Sequence, residues 1–397
     1  MTDTIHTNQN RREMFKYSGA LLGGLALAGL NKSALASSLA GSKSSGTTTE
    51  PVIRINYNEN PLGMSPKGQE AARLAIAKAN RYPYQEERQL QEKIAGLHGV
   101  EKSKVLMLQG SCEGIRSCFE ALGTAKTQLV IPELTYEGGP KYAKIMGMNI
   151  VRLPMLPGWT FDIEAMKKAV AAYHGPTIVY FVNPNNPTAT ITPADLIEPW
   201  IKSKPEDTLF LVDEAYAEFV NDPRFRSVDG LIREGCDNII LLKTFSKIFA
   251  MAGMRAGYAI GNPALLAKVA DYNTSESLNY CAIAAAGASL DDKAFITYSK
   301  KTIDTSRQIL IDTLKSLNLE YLPSEANFLF HRIKVPLEGY QKRMKEHGVL
   351  IGRAFPPATD WCRISMGTPE EMLTFTQLMR ELRAGCKRLI ARRQRRP

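Results

Sequence analysis

From Lys104 onward, short apolar runs alternate with stretches whose apolar positions recur at helical spacing. The runs are Val105–Leu108, Leu129–Ile131, Ile150–Leu153, Ile178–Val182, Leu209–Val212, Ile239–Leu242 and Ala256–Ile260; the helical stretches include Glu113–Leu122, Gly139–Met146 and Ile163–Ala172. Runs apolar throughout suit strands buried on both faces, and alternation with helices predicts an α/β fold with a mainly parallel sheet. After Asn279 the pattern changes. A long helical region leads to strands at Tyr321–Leu322 and Asn327–Phe330, a helix near Tyr340–His347, a strand at Trp361–Ser365 and a last helix from Pro369 to about Ile390, which reads as a smaller α+β domain. Ahead of Lys104, the turn-rich Asn58–Gly63 precedes helices from Ser65 to Ala79 and up to about Leu97, separated by Arg81-Tyr82-Pro83.

The first residues follow a different logic. Asn10-Arg11-Arg12-Glu13-Met14-Phe15-Lys16 resembles a twin-arginine export signal; a Gly/Ala-rich weakly apolar run, Tyr17–Leu30, and the small-residue site Ala34-Leu35-Ala36 follow. The run is shorter than the ~20 residues a membrane-spanning helix needs. These features predict delivery to the export machinery and a periplasmic or otherwise exported protein. The expected organisation is a signal over 1–36, a Ser/Gly/Thr linker over 37–51, an arm and small-domain part over 52–80, a large domain over 81–285, a small C-terminal domain over 286–384 and a basic tail over 385–397.

The formal net charge is +10, which raises the question of nucleic acid. Nine of the cations sit at the ends: Arg11, Arg12, Lys16, Lys387, Arg388, Arg392, Arg393, Arg395 and Arg396. The body without them is near +1, so no nucleic-acid partner is expected. The six cysteines show neither CxxC pairs nor zinc spacing, and no metal site is expected.

Ligands of open α/β sheets bind beyond the carboxyl ends of the strands, and here those ends carry chemistry. Gly110-Ser111-Cys112-Glu113-Gly114 enters a helix with free backbone N–H groups, a phosphate cradle. Tyr136 can stack on a planar ring. Asn183-Pro184-Asn185-Asn186-Pro187-Thr188 is a rigid loop presenting amides to a ring oxygen. Asp213 can keep a pyridine nitrogen protonated, and Tyr216 can reach a ring hydroxyl. Thr244-Phe245-Ser246-Lys247 places a lysine among hydroxyls, with Arg255 downstream. That lysine suits a Schiff base with an aldehyde cofactor whose phosphate the hydroxyls and arginine hold.

Asn183–Thr188, Asp213–Tyr216 and Thr244–Lys247 with Arg255 resemble the class I/II aminotransferases, fold-type I enzymes that use pyridoxal 5′-phosphate. Asn58–Gly63, Arg81-Tyr82-Pro83 and Arg363-Ile364-Ser365-Met366-Gly367 are similar to the histidinol-phosphate aminotransferase subgroup. The resemblance implies a large domain with a mainly parallel seven-stranded sheet plus a smaller α+β domain. It makes Lys247 the Schiff-base lysine, with Asp213 on the ring nitrogen, Asn186 and Tyr216 on the ring hydroxyl and Tyr136 on the ring face. Ser111, Cys112, Thr244, Ser246 and Arg255 would hold the cofactor phosphate. It implies a homodimer in which Tyr82 reaches the neighbour's phosphate site. Arg363, with Asn327 beside it, would clamp a substrate carboxylate, and Arg353 would meet a distal phosphate. The implied reaction moves an amino group between an amino acid or amino-alcohol phosphate-like donor and a 2-oxo acid.

Departures fall around the substrate. Cys112 replaces an acidic residue, Ala189 a glycine, and Leu62 a frequent tyrosine that shapes the substrate phosphate pocket. Two alternatives use the same scaffold: another pyridoxal-phosphate reaction, a decarboxylase or an oxidase, and a non-catalytic binding protein.

Overall fold

The computed structural model describes residues 52–274 and 277–394, the last eleven by their backbone alone; the segments expected to be an export signal and a linker, and the end of the basic tail, lie outside the described residues. Residues Pro51–Pro397 form one compact unit.

The chain enters through β1 (Ile53–Ile55), helix α1 (Pro66–Ala75) and α2 (Tyr84–His98). Alternation then begins: β2 (Val105–Leu108), α3 (Ser111–Leu122), β3 (Gln128–Pro132), α4 (Gly138–Ile145), β4 (Asn149–Leu153), a short hairpin of β5 (Met155–Leu156) and β6 (Thr160–Phe161), α5 (Ile163–Ala171), β7 (Thr177–Val182), α6 (Ala194–Lys202), β8 (Thr208–Asp213), α7 (Asp229–Arg233), β9 (Ile239–Thr244) and β10 (Gly257–Gly261). Seven of these strands form one sheet in the order β2-β10-β9-β8-β7-β3-β4. Neighbours are parallel except β10, antiparallel to both β9 and β2.

Alternation along the central strands explains why they read as unbroken apolar runs. In β7, Ile178, Tyr180 and Val182 face one core, while Val179 and Phe181 face the other; in β9, Ile240 and Leu242 oppose Ile239 and Leu241. Both faces are dry, so both parities must be apolar. The run at 239–242 ends early in the sequence because Lys243 and Thr244 are polar, yet the strand continues to Thr244. Lys243 stays buried in it by pairing with Glu218 at 2.8 Å and Glu214 at 3.5 Å.

The remaining elements are α8 (Pro263–Ala270), α9 (Tyr280–Asp291), α10 (Lys293–Ser316), β11 (Phe328–Arg332), α11 (Leu337–Glu346), β12 (Val349–Ile351), β13 (Trp361–Ser365) and α12 (Pro369–Gln394). Two pairings bear on the site. β1 runs parallel to β12, which ties the N-terminal arm to the C-terminal elements. β11 and β13 are antiparallel, with Phe330 opposite Arg363. The strand expected at Tyr321–Leu322 is a single bridge from Tyr321 to His331. β1 and β12, three residues each, are too short to stand out as periodic runs.

Candidate active site

The carboxyl ends of β2, β3, β7, β8 and β9 open into one cavity of about 330 Å³. Ser111, Cys112, Tyr136, Asn186, Asp213, Tyr216, Thr244, Ser246, Lys247, Arg255, Arg353 and Arg363 all line it. Two expected residues do not. Asn327 is fully buried behind it, its amide donating to the carbonyls of Asn58 (3.0 Å) and Glu59 (3.3 Å). Tyr82 stands out on the surface, 76% exposed and stacked on Tyr84.

One end of the cavity is built for an anion. The N-termini of α1, α5, α8, α9 and α10 are capped by the side chains of Ser65, Asp162, Asn262, Asn279 and Asp292. At α3 the cap position is Gly110, which has no side chain to offer, so the first N–H groups stay open to a ligand. Gly110 has φ +85°, and a Cβ there would stand 2.6 Å from Arg255 Nη2; the cradle needs glycine. Arg255 donates to the carbonyls of Ala252 (2.8 Å) and Gln109 (3.2 Å) and is paired with no carboxylate among the described residues. Thr244 and Ser246 hydroxyls, 2.9 Å apart, complete this end.

The middle carries the groups that a pyridine ring would meet. Asp213, 3% exposed, ends β8; its carboxylate accepts the Ala215 N–H at 3.0 Å and the Tyr180 hydroxyl at 3.5 Å. Burial raises its carboxyl from the ordinary 3.8 to about 6, against the pull of the Ala215 bond and the Lys247 charge. Among the described residues no cation stands in ion-pair contact with this carboxylate, Lys247 acting on it only at longer range. Tyr136 is kept neutral by burial and the nearby Cys112 thiol, whose Sγ lies 3.6 Å from its hydroxyl. Tyr216 receives the amides of Asn186 (3.4 Å) and Asn58 (3.1 Å). Lys247 Nζ donates to the carbonyls of Asn58 (3.1 Å) and Tyr57 (3.4 Å).

The outer end holds two guanidiniums. Arg363, 8% exposed, donates to Asn186 Oδ1 at 2.6 Å and to the Asn56 carbonyl at 2.8 Å, leaving Nε buried without a partner. Burial, reinforced by nearby Arg353, pushes its side chain down to about 10. The Phe355 ring centre lies 4.9 Å from the Arg363 guanidinium carbon and 4.4 Å from that of Arg353. The lining thus carries four cations, Lys247, Arg255, Arg353 and Arg363, against one carboxylate, Asp213.

Sequence reasoning missed Tyr57, Asn58, Thr135, Val182, Ala215, Ala252 and Phe355 as lining residues. Asn58 carried a signal: it lies in a turn-rich segment and has φ +55°, a conformation asparagine tolerates. Phe355 carried none.

An open anion cradle, a buried carboxylate without an ion-pair partner among the described residues and a lysine, lining one cavity at the ends of a parallel sheet, define a site for a phosphorylated pyridine aldehyde. The residues present fit pyridoxal 5′-phosphate. Residues 50–377 match the model of the family described as aminotransferase class I and II, and the chain belongs to that family. The histidinol-phosphate aminotransferase of Symbiobacterium thermophilum is 33% identical over 332 residues, 83% of this chain and 90% of the relative. A solved structure from Erwinia carotovora atroseptica, provisionally assigned as a histidinol-phosphate aminotransferase, is 59% identical with a TM-score of 0.84, covering 86% of this chain and 99% of that one. The Sinorhizobium meliloti histidinol-phosphate aminotransferase, solved with pyridoxal 5′-phosphate, is 25% identical with a TM-score of 0.77, covering 84% and 92%. The chain is a pyridoxal-phosphate-dependent aminotransferase of fold-type I, acting on small amino and oxo substrates.

Proposed function

We propose that this aminotransferase takes an amino donor bearing two anionic groups and passes its nitrogen to a 2-oxo acid, with Lys247 as the cofactor lysine. The observation that carries this is the charge imbalance of the lining, four cations to one carboxylate. Arg255 and the cradle around it would hold the cofactor phosphate, which accounts for one cation. Arg363 and Arg353 remain, side by side on Phe355, where one can clamp the α-carboxylate and the other a distal carboxylate or phosphate.

When bound, pyridoxal 5′-phosphate supplies the carbonyl that condenses with amines and a ring that delocalises a carbanion. The chain does the rest. Ser111, Cys112, Thr244, Ser246 and Arg255 bind the phosphate. Asp213 holds the proton on the ring nitrogen, a role its dry surroundings strengthen by making a paired cation favourable. Tyr216 and Asn186 address the ring hydroxyl, and Tyr136 covers the ring face. Lys247 Nζ would take and hold the proton from the donor Cα. Arg363 orients the donor; Asn327 acts from behind, by holding the backbone at Asn58 and Glu59.

Two further readings belong here. The apolar, exposed Ile76, Tyr82 and Tyr84 lie close in sequence and suit a homodimer face, with Tyr82 reaching the neighbour's phosphate site. Asn10–Lys16, the apolar run after it and Ala34–Ala36, all outside the described residues, support twin-arginine export to the periplasm; mass determination of the mature N-terminus tests it.

The main test is a donor screen on the holoenzyme with 2-oxoglutarate as acceptor, including dicarboxylic and phosphorylated amines, followed by Arg353→Ala. We expect kcat/KM to fall about 10- to 100-fold for donors with a second anionic group and to stay near wild type for the others. A preferred donor with a single anionic group, or an equal loss on all donors, removes the role given to Arg353.

A further inference from the structure

The strap over the lysine, Asn56–Asn60, is joined to more of the site than any cofactor assignment requires, and Asn58 is its centre. We infer that Asn58 is a positioning residue: its amide fixes the direction of the Tyr216 hydroxyl proton, and its carbonyl holds Lys247 Nζ. The inference rests on the roles proposed above for Tyr216 and Lys247.

The argument is one of donor and acceptor capacity. A tyrosine hydroxyl has one hydrogen to give and two lone pairs to receive. The Tyr216 oxygen receives Asn58 Nδ2 at 3.1 Å and Asn186 Nδ2 at 3.4 Å. The Asn186 amide orientation is fixed by its other partner, and that of Asn58 is the one its bond with Ser365 takes in the structure. Asn186 faces Arg363 Nη1 at 2.6 Å, and a guanidinium only donates, so the facing atom is Oδ1 and Nδ2 turns to Tyr216. Asn58 N–H donates to Ser365 Oγ at 2.8 Å; that hydroxyl donates to Asn58 Oδ1 at 2.9 Å, and Nδ2 is left for Tyr216. With both lone pairs filled, the Tyr216 proton has the cavity as its outlet. Tyr216 is thereby held as a donor to the ring oxygen of the cofactor, which stabilises that oxygen as an anion.

The backbone of the same residue serves the lysine. The Asn58 carbonyl accepts both Lys247 Nζ at 3.1 Å and Asn327 Nδ2 at 3.0 Å. Asn58 is 2% exposed and sits at φ +55°, so the peptide that meets the lysine is fixed by burial, by Ser365 and by Asn327 together.

The test reads the pH at which the visible absorption of the bound cofactor changes form. Asn58→Gly keeps the positive φ and removes the amide; Asn58→Asp keeps the shape and turns a donor into an acceptor that draws the Tyr216 proton away from the ring. Ser365→Ala frees the Asn58 amide to rotate and serves where an Asn58 variant does not fold. Loss of one donor to Tyr216 weakens stabilisation of the ring anion, so the spectral midpoint should rise by about one unit in Asn58→Gly and further in Asn58→Asp. A smaller rise is expected in Ser365→Ala. Midpoints equal to wild type in variants that still bind cofactor would overturn the inference, leaving Asn58 a structural residue. A wild-type holoenzyme whose absorption does not respond to amines would instead refute the assignment of Lys247, so the two failures are distinct.

Discussion

Asp213→Asn separates the cost of the site from its use. In the protein without cofactor, Asp213 is a buried carboxylate with no cation in ion-pair contact among the described residues, and its carboxyl stands near 6 where an exposed one stands at 3.8. A raised carboxyl means that the folded state binds the proton more tightly than the unfolded one. Stability from this group therefore falls as pH rises from about 4 to about 6 and stays lower above that. At 1.36 kcal/mol per unit, the penalty is about 1.6 kcal/mol near pH 5 and about 3 kcal/mol near pH 8. Asparagine removes it while keeping an oxygen for the Ala215 N–H, 3.0 Å away. Urea unfolding of the two apoproteins from pH 5 to 8 should thus show the variant the more stable, by a margin that widens with pH; titrating groups that do not interact with Asp213 cancel in the difference. With cofactor the order reverses, because asparagine cannot hold a cationic ring N–H, and the affinity for pyridoxal 5′-phosphate falls. A stability difference flat with pH, or a variant less stable throughout, would show that Asp213 is not the uncompensated charge described here.

Two other substitutions address the two ends of the cavity. Gly110→Ala places a Cβ at φ +85° and 2.6 Å from Arg255 Nη2, so the guanidinium must leave the cradle; titration of cofactor fluorescence should give a Kd raised at least about tenfold, and an unchanged Kd would contradict the cradle. Arg363→Lys keeps the charge and loses the planar fork that reaches Asn186 and a carboxylate together; steady-state kinetics should show kcat/KM for carboxylate donors down about 30-fold, mostly in KM, with the cofactor spectrum retained.

The central sheet was legible because it is buried on both sides. In β7, Ile178 to Val182 are buried at every position with alternate side chains facing opposite cores, and that leaves an unbroken apolar run in the sequence. The cofactor end of the site was legible for a related reason: strand ends in a parallel sheet point the same way, so Gly110, Asp213 and Lys247 converge although more than a hundred positions separate the first from the last. The substrate end was not. Asn58 and Tyr57 reach the lysine through a strap held by the three-residue pairing of β1 with β12 and by Asn327, 269 positions away. Phe355 joins Arg353 to Arg363 by ring contacts that no spacing encodes. The family resemblance sets Asn327 beside Arg363 at the donor carboxylate; in the structure its amide donates to the backbone carbonyls of Asn58 and Glu59.

The central claim is that Lys247 carries the cofactor. Two lysines stand close together at this strand end, and their surroundings differ. Lys243 is buried in ion pairs with Glu214 and Glu218, whereas Lys247 opens into the cavity beside Tyr216. Borohydride reduction of the holoenzyme followed by peptide mapping locates the attachment. A reduced cofactor adduct on Lys247, absent in Lys247→Ala, is the predicted result. An adduct on Lys243 or elsewhere, or one that survives in Lys247→Ala, would contradict the account.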